Sequence, residues 1–182
     1  DQLRGIERPN LLPNPSFEHG TAVPGEPPRL PGWWFYDRVG MVKGARAQYS
    51  WSADESTDGG KCLGFGTGKY PGARTFIQLE PGRYRLAFRY RTKNRESDVT
   101  VNLLRLDPQY TIDDFRIQSR VRDISAINHA FIKFLPQRFA PTGDRWTKVT
   151  STVEIRKAGA YCLMLEPFFM PEGAWTWFDD ME

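Results

Sequence analysis

The amino-acid sequence predicts an all-β fold, a two-sheet antiparallel β-sandwich, and three observations support this prediction. The 16 Gly and 14 Pro residues are spread in short clusters, which favours many short strands joined by turns. About ten apolar or alternating segments lie between these turn signals, and none repeats another. With 182 residues, 40% of them hydrophobic, and no linker-like stretch, the chain fits a single domain over residues 11–182 behind a polar tether at residues 1–10.

The first predicted strands lie between Pro-rich and Gly-rich turns. The aromatic run Trp33–Tyr36 follows a Pro-rich loop at residues 20–32, and Gln48–Ala53 is a second short strand. Lys61–Thr67 is flanked by glycines, and Thr75–Leu79 comes after a Gly-rich loop. Short segments rich in aromatic and β-branched residues between turn signals are typical of sandwich strands.

The clearest predicted strand is Arg83–Arg91, which follows the turn Glu80-Pro81-Gly82. Its even positions are apolar, and its odd positions, apart from Ala87, are arginines. Strict alternation places one face of a strand on a core and the other face in water. We therefore expect the core to receive Tyr84, Leu86, Phe88 and Tyr90.

The second half of the chain contains one long excursion. Val99–Leu106 returns as a strand, but residues 107–137 are less regular. Spacing of apolar residues over Asp113–Asn128 is compatible with one short helical insertion near 113–128. The remaining predicted strands are Ala130–Leu135, Trp146–Ile155, Ala160–Glu166 and Trp175–Glu182.

Charge, hydropathy and motifs exclude several functional classes. The net charge of +3 is too small to indicate a nucleic-acid partner, and no apolar run approaches the ~20 residues that span a membrane. The sequence has no phosphate loop, dinucleotide fingerprint or nucleophile elbow, and its two histidines lack metal-ligand spacing. Arginine supplies 18 of the 25 basic residues, which suits bidentate binding of carboxylate or sulfate groups but equally suits solvated strand faces.

The two cysteines and the chain ends give expectations about the cellular context. Cys62 and Cys162 lie in separate predicted strands, and they form either a disulfide or, as we favour, two small buried residues. The chain begins at Asp1 and stops inside a predicted strand. We therefore expect a monomeric piece of a larger secreted protein, with no signal segment of its own.

Five segments resemble the landmarks of a known family, in the order that the family has them. They are Asn10–Glu18, Pro31–Trp33, Gly82–Leu86, Asp144–Val149 and Trp177–Glu182. Together they resemble the jelly-roll carbohydrate-binding modules of the galactose-binding-like superfamily, in the style of families 4, 16 and 22. This resemblance implies a non-catalytic module that binds a polysaccharide or oligosaccharide beside a catalytic domain in the same parent chain.

The resemblance also implies a structural Ca²⁺ between the opening Glu and the closing strand. By motif its ligands would be Glu18 and Asp179, or Asp180 if the register slips by one, with backbone carbonyls near Asn14, Ser16 and Lys61. Ca²⁺ takes six to eight oxygen ligands in irregular geometry. Alternation further predicts that Asp179 points inward with Met181, where a cation would compensate its buried charge. Two solvated strand-end aspartates are the alternative.

Candidate sugar-binding residues fall into an aromatic group and a cationic group. Aromatic rings outside the family landmarks could stack on the C–H faces of sugar rings, and these are Tyr36, Trp51, Tyr70, Phe131 and Trp175. A cationic groove on a concave sheet would suit an anionic glycan, a uronate or a sulfated chain, and would contain Arg85, Arg89, Arg91, Arg105, His129 and Lys133. A solvated face that acidic residues partly neutralise is the alternative.

Three functions remain open from the sequence, and we favour the first. It is a carbohydrate-binding module that holds a secreted enzyme near its glycan. The second is a structural or interaction sandwich of a larger hydrolase or lyase, without a sugar site. The third is a small polysaccharide-cleaving enzyme, for which an acidic pair could be chosen among Glu96, Asp113, Asp114 and Glu166.

Overall fold

The fold is known from a computed structural model that describes residues 9–24, 26–37, 48–67, 71–113, 131–167 and 170–182, without the side chains of 36, 37 and 131–136. Ten strands organise these residues. They are β1 (Trp34–Asp37), β2 (Tyr49–Ser52), β3 (Cys62–Phe65), β4 (Pro71–Leu79), β5 (Gly82–Lys93), β6 (Val99–Leu106), β7 (Phe131–Phe139), β8 (Thr147–Ile155), β9 (Gly159–Glu166) and β10 (Trp175–Asp179). In this described part of the chain, no helix has the length and apolar character that crossing a bilayer requires.

The strands form two antiparallel five-stranded sheets. The first sheet has the order β1-β4-β9-β6-β7, and the second has the order β2-β3-β10-β5-β8. Most consecutive strands lie in different sheets or apart in one sheet, so long-range pairing builds the fold. The prediction of an all-β, two-sheet antiparallel sandwich is confirmed.

The core lies between the sheets, and alternation along each strand decides which side chains enter it. The first sheet contributes Tyr161, Leu163 and Leu165 from β9, and the second contributes Phe88 from β5 and Phe178 from β10. All five are at most 1% exposed. The four apolar positions predicted for the strand Arg83–Arg91 do pack in or against this core, because its arginines occupy the opposite face.

Several element boundaries differ from the sequence-based expectation. Strand β4 begins at Pro71, because its first residues pair with β1 although they resemble a Gly-rich loop. Strand β10 ends at Asp179, because Asp180 has a φ of 50° and leaves the extended conformation. The helical insertion predicted near 113–128 lies outside the described residues, apart from Asp113.

Both cysteines are free and buried, as the favoured alternative predicted. Cys62 lies opposite Ser52 on the outer face of the second sheet, because its neighbour Leu63 faces the core. Cys162 lies on the outer face of the first sheet, between the core residues Tyr161 and Leu163. Since the whole sandwich separates the two side chains, they cannot form a disulfide.

The first and last described segments meet at the second sheet. The backbone of Glu182 exchanges two hydrogen bonds with Ala87, at 2.8 and 2.7 Å, which extends the sheet beyond β10. The N–H of Met181 donates to the carbonyl of Pro15 at 3.0 Å. The side-chain amide of Asn10 donates to the carbonyl of Met181 at 2.7 Å. Two hydrogen bonds therefore join the two ends, and two more join Glu182 to β5.

Candidate functional site

The outer face of the first sheet carries an unusual row of side chains. The core receives Ala73 from β4, Leu165 from β9 and Val101 from β6. Side chains alternate along a strand, so the residues adjacent to these three point away from the core. Trp34, Arg74, Met164 and Asn102 are consecutive Cα partners across β1, β4, β9 and β6. We call these four residues, with Phe76 and Glu166, the first-sheet face.

Polar groups of the first-sheet face are buried although they lie outside the core. Arg74 is 4% exposed and Glu166 is 3% exposed. The side-chain amide of Asn102 donates a hydrogen bond to Glu166 Oε2. Burial raises the pKa of the Cys162 thiol. The nearby charge of Arg74 opposes this rise, and the charge of Glu166 adds to it. Both charges therefore act on the middle of this face. Buried charges are costly, and their concentration outside a core is typical of a binding site.

Aromatic rings flank these polar groups. The rings of Trp34 and Phe76 contact edge to face, with centroids 5.6 Å apart. Both rings are half-buried. Phe76 also packs in a small second apolar cluster around Leu106, separate from the main core. The first-sheet face therefore joins apolar rings to a guanidinium, an amide and a carboxylate.

Most of the first-sheet face has no distinctive signature in the sequence. Glu166 alone is a sequence-based candidate, as a possible catalytic acid, whereas Trp34, Arg74, Phe76 and Asn102 are not. The available signal was alternation: polar Arg74, Asn102 and Glu166 each adjoin a residue, Ala73, Val101 or Leu165, that enters the core. Alternation shows direction, but it does not show that an outward residue is buried.

Three predicted sugar-binding residues belong to strands of the first sheet. Tyr36 follows Trp34 by two residues in β1, at one edge of the sheet. Phe131 and Lys133 lie in β7 at the opposite edge, with Leu106 and Leu104 as their register partners. Their side chains are not described, and Tyr70 and His129 lie outside the described residues.

Arg105 lies apart from the first-sheet face. It is the register partner of the core residue Tyr161, so its direction differs from that of Asn102 and Leu104. Its Nη2 donates to the carbonyl of Ala158 at 3.4 Å, at the end of the sheet.

The arginines of β5 lie together on the outer face of the second sheet, and Arg85, Arg89 and Arg91 each face a carboxylate. Arg85 forms an ion pair with Glu182. Arg89 Nε lies 3.1 Å from Asp180 Oδ2. These pairs belong to partly exposed side chains, so they contribute little stability, but they neutralise the row. These ion pairs correspond to the alternative given above for the cationic groove, a solvated face that acidic residues partly neutralise. Sugar binding by these arginines stays a prediction.

Arg91 has a different environment from the other arginines of β5. It forms an ion pair with Glu55, and its Nε lies 3.5 Å from Asp144. Its guanidinium lies 4.4 Å from the ring centroid of Trp177 and 5.8 Å from that of Trp146. Arg91 therefore joins the loop that contains Glu55 to an aromatic array on the second sheet.

Trp51, another predicted sugar-binding residue, packs against the core. Its Nε1–H donates to the carbonyl of Phe17 at 2.6 Å. The Lys61 ammonium lies 5.3 Å from its ring centroid. These contacts give Trp51 a role in fixing the opening segment to β2.

The predicted metal ligands converge on one loop, residues 53–61. Glu18 Oε1 accepts a hydrogen bond from the N–H of Lys61 at 2.6 Å. Asp179 Oδ2 accepts two hydrogen bonds, at 3.1 Å each, from the N–H and hydroxyl of Thr57. Asp180 Oδ2 lies 3.4 Å from the same hydroxyl.

The alternation argument for Asp179 is wrong, although the residue is buried. Phe178 faces the core, so Asp179 points to the outer face, and the left-handed conformation of Asp180 then returns Met181 to the core. Loop 53–61 covers Asp179, which is 1% exposed. Burial raises the pKa of Asp179, and hydrogen bonds from Thr57 and the Asp180 N–H oppose that rise.

The chemistry of this region fits Ca²⁺ only with help from backbone oxygens. Among the described residues, no three side chains of Asp, Glu, His or Cys converge as a metal site. Glu18 provides a carboxylate oxygen at the end of this loop, and Asp179 provides one at its middle. Ca²⁺ accepts mixed carboxylate and carbonyl ligands, so the donor types fit, and the ion remains a prediction.

Comparisons with known proteins identify the fold. No protein-family model and no curated protein matches the chain. A family 4 carbohydrate-binding module is similar over 94% of this chain and 97% of its own, with 14% identity and a TM-score of 0.59. A family 61 carbohydrate-binding module, solved in complex with β-1,4-galactotriose, is similar over 96% and 97%, with 17% identity and a TM-score of 0.55.

A third similar structure is the enzymatically active domain of tailspike protein 4 of bacteriophage CBA120. It is similar over 94% of this chain but 21% of its own, with 10% identity and a TM-score of 0.64. At these identities the similarity concerns the fold alone. The expected jelly-roll fold of carbohydrate-binding modules is confirmed.

Proposed function

We propose that this chain is a non-catalytic carbohydrate-binding module that binds its glycan on the first-sheet face. One observation carries the proposal: Arg74, Asn102 and Glu166 are polar groups held outside the core beside the rings of Trp34 and Phe76. A sugar presents an apolar C–H face and a rim of hydroxyls, so it requires both kinds of group at once. The similar fold of two carbohydrate-binding modules supports this function.

Each group of the face has a distinct task in this proposal. The indole of Trp34 offers a flat apolar surface for a pyranose ring. The guanidinium of Arg74 donates to ring or hydroxyl oxygens, and the carboxylate of Glu166 accepts from hydroxyls. Asn102 fixes the Glu166 carboxylate through its hydrogen bond, so this acceptor is oriented before a ligand binds.

A neutral glycan fits the described charges better than an anionic one. Of the cations in the anionic hypothesis, Arg85, Arg89 and Arg91 each face a carboxylate. The first-sheet face itself combines one guanidinium, Arg74, with one carboxylate, Glu166. We therefore propose a neutral polysaccharide as the ligand class.

The remaining expectations complete the proposal. The module acts as a monomer in a secreted protein, beside a catalytic domain that it holds near the glycan. A structural Ca²⁺ held by Glu18 and Asp179 would supply a positive charge that fastens loop 53–61 to the closing strand. The ion would stabilise the fold and take no part in binding sugar.

Affinity electrophoresis tests the proposal. The parent chain is run through gels that contain neutral xylan, glucan or galactan, or acidic pectate or sulfated glycan. We expect retardation by a neutral glycan, abolished in Trp34→Ala and strongly reduced in Glu166→Gln. Arg85→Ala is the matched control on the opposite sheet and should migrate like the parent.

Other outcomes would assign other functions. Retardation by acidic glycans alone, lost in Arg85→Ala, would move the site to the β5 arginines. If no glycan retards the folded protein, the chain is a structural or interaction domain without a sugar site. The low exposure of Arg74 and Glu166 favours this alternative. Catalysis is disfavoured because Glu166 is the sole carboxylate among the described side chains of this face, whereas glycoside hydrolysis uses two.

A further inference from the structure

The outer face of the second sheet carries two tryptophans whose rings stack on each other. Trp175 and Trp177 point the same way from β10, because Thr176 lies between them and Phe178 faces the core. Their rings are 15° from parallel, with centroids 5.6 Å apart. We call this pair the indole shelf.

Two glycines of the neighbouring region support the shelf. A Cβ atom added to Gly64 would lie 2.7 Å from Trp177 Cδ1, and one added to Gly66 would lie 2.8 Å from Trp175 Cζ2. Both indoles therefore lie directly on backbone. Glycine inside a strand weakens it, and its presence marks a place where something approaches closely. Here the closely approaching groups are the two indoles.

Contacts hold the shelf in place before any ligand arrives. The Arg91 guanidinium covers Trp177, which is 3% exposed. The turn before Trp175 is fixed by the side-chain amide of Asn94, which donates to the carbonyl of Gly173 at 3.2 Å. Trp175 itself remains half-buried at the free end of the array. A rigid ring at the surface loses little conformational entropy when it binds.

The surroundings of the shelf suit a sugar better than a protein partner. The outward residues beside it are Ser50 on β2, and Arg91 and Lys93 on β5. None of these three residues offers an aliphatic side chain, so this part of the rim is polar, which disfavours a dry apolar interface. A sugar needs the opposite arrangement, an aromatic surface with polar groups at its rim. The buried Nε1–H of Trp177, which has no acceptor among the described residues, adds a polar group without a partner.

We infer that Trp175 is the stacking platform of a second glycan-binding site, on the sheet opposite the first-sheet face. This inference rests on the proposed function, since both sites take the same neutral glycan class. Two sites on opposite faces of one sandwich make the module bivalent. A bivalent module cross-links two chains of one polysaccharide and gains avidity on an insoluble surface.

The test is the binding stoichiometry of four proteins. The parent, Trp175→Ala, Trp34→Ala and the double variant are titrated calorimetrically with xylohexaose, cellohexaose and β-1,4-galactotriose. We expect two sites per parent chain, one in each single variant and none in the double variant. Trp175→Phe is the matched control, because it keeps a flat ring and should keep the second site. Circular dichroism establishes that every variant is folded.

Different outcomes separate the two proposals. One site per parent chain, unchanged by Trp175→Ala, would overturn the second site and leave the proposed function intact. No binding to the parent would overturn both. Affinity at the second site should fall roughly tenfold or more when the indole is removed, because one ring contact buries a large apolar area.

Discussion

Gly64→Ala is the substitution whose effect can be worked out furthest from the structure. The new methyl group would lie 2.7 Å from Trp177 Cδ1 and Nε1 and 3.0 Å from Ser50 Cβ, so the indole must move. The Arg91 guanidinium, 4.4 Å from the ring centroid, and the stacked ring of Trp175 limit this movement. Overpacking of this kind costs about 1–3 kcal/mol, and the loss of a strand glycine returns about 0.5–1 kcal/mol.

With an overpacking cost of about 2 kcal/mol, the middle of its range, the net expectation for Gly64→Ala is about 1–1.5 kcal/mol less stability. This lowers the melting temperature by roughly 2–6 °C in a domain of this size. Urea unfolding followed by tryptophan fluorescence measures it. Gly82→Ala is the matched control in β5, because its methyl group would meet only Tyr84 Cε2, at 3.7 Å. If Gly64→Ala proved as stable as Gly82→Ala, the glycine would not be needed to seat Trp177.

Three other predictions concern separate parts of the fold. Thr142→Val should cost about 1–2 kcal/mol in urea unfolding, because Thr92 and Thr142 exchange buried backbone-to-hydroxyl hydrogen bonds at 2.9 and 2.7 Å; an unchanged midpoint would contradict this. Burial raises the pKa of Cys162, so the folded state keeps a proton that the unfolded thiol loses above pH 9.0. Stability should therefore fall as pH rises above that value, and Cys162→Ala should reduce the slope. Millimolar Ca²⁺ should raise the melting temperature of the parent but not of Glu18→Gln, and an equal rise in both would remove Glu18 from the metal site.

The sequence predicted the fold well where one strand carries its own signal. Val99–Leu106 has the predicted bounds, and the alternation of Arg83–Arg91 gave the correct core face. Pro71 and Gly72 were assigned to a loop because their residue types disfavour strands, yet pairing with β1 extends β4 over them. Tertiary pairing thus overrode local propensity.

The candidate sites were harder to predict because their partners are distant in sequence. Arg91 meets Glu55, and Arg85 meets Glu182, and neither pairing can be inferred from spacing. Arg74 and Asn102 looked like ordinary outward residues, since alternation reports direction and not solvent exclusion. Asp179 was placed on the wrong face because a single left-handed residue, Asp180, interrupts the strand period.

The joined ends of the described chain have a mechanical consequence. Asn10 and Glu182 leave the sandwich from the same region, where backbone hydrogen bonds tie Met181 to Pro15 and Glu182 to Ala87. We expect a tensile force applied through the two ends to break the bonds of Met181 and Glu182 one after another. Such unzipping differs from shear, in which all hydrogen bonds of a strand carry the force together. The same proximity would let the sandwich be inserted into a loop of another polypeptide with little distortion of its host.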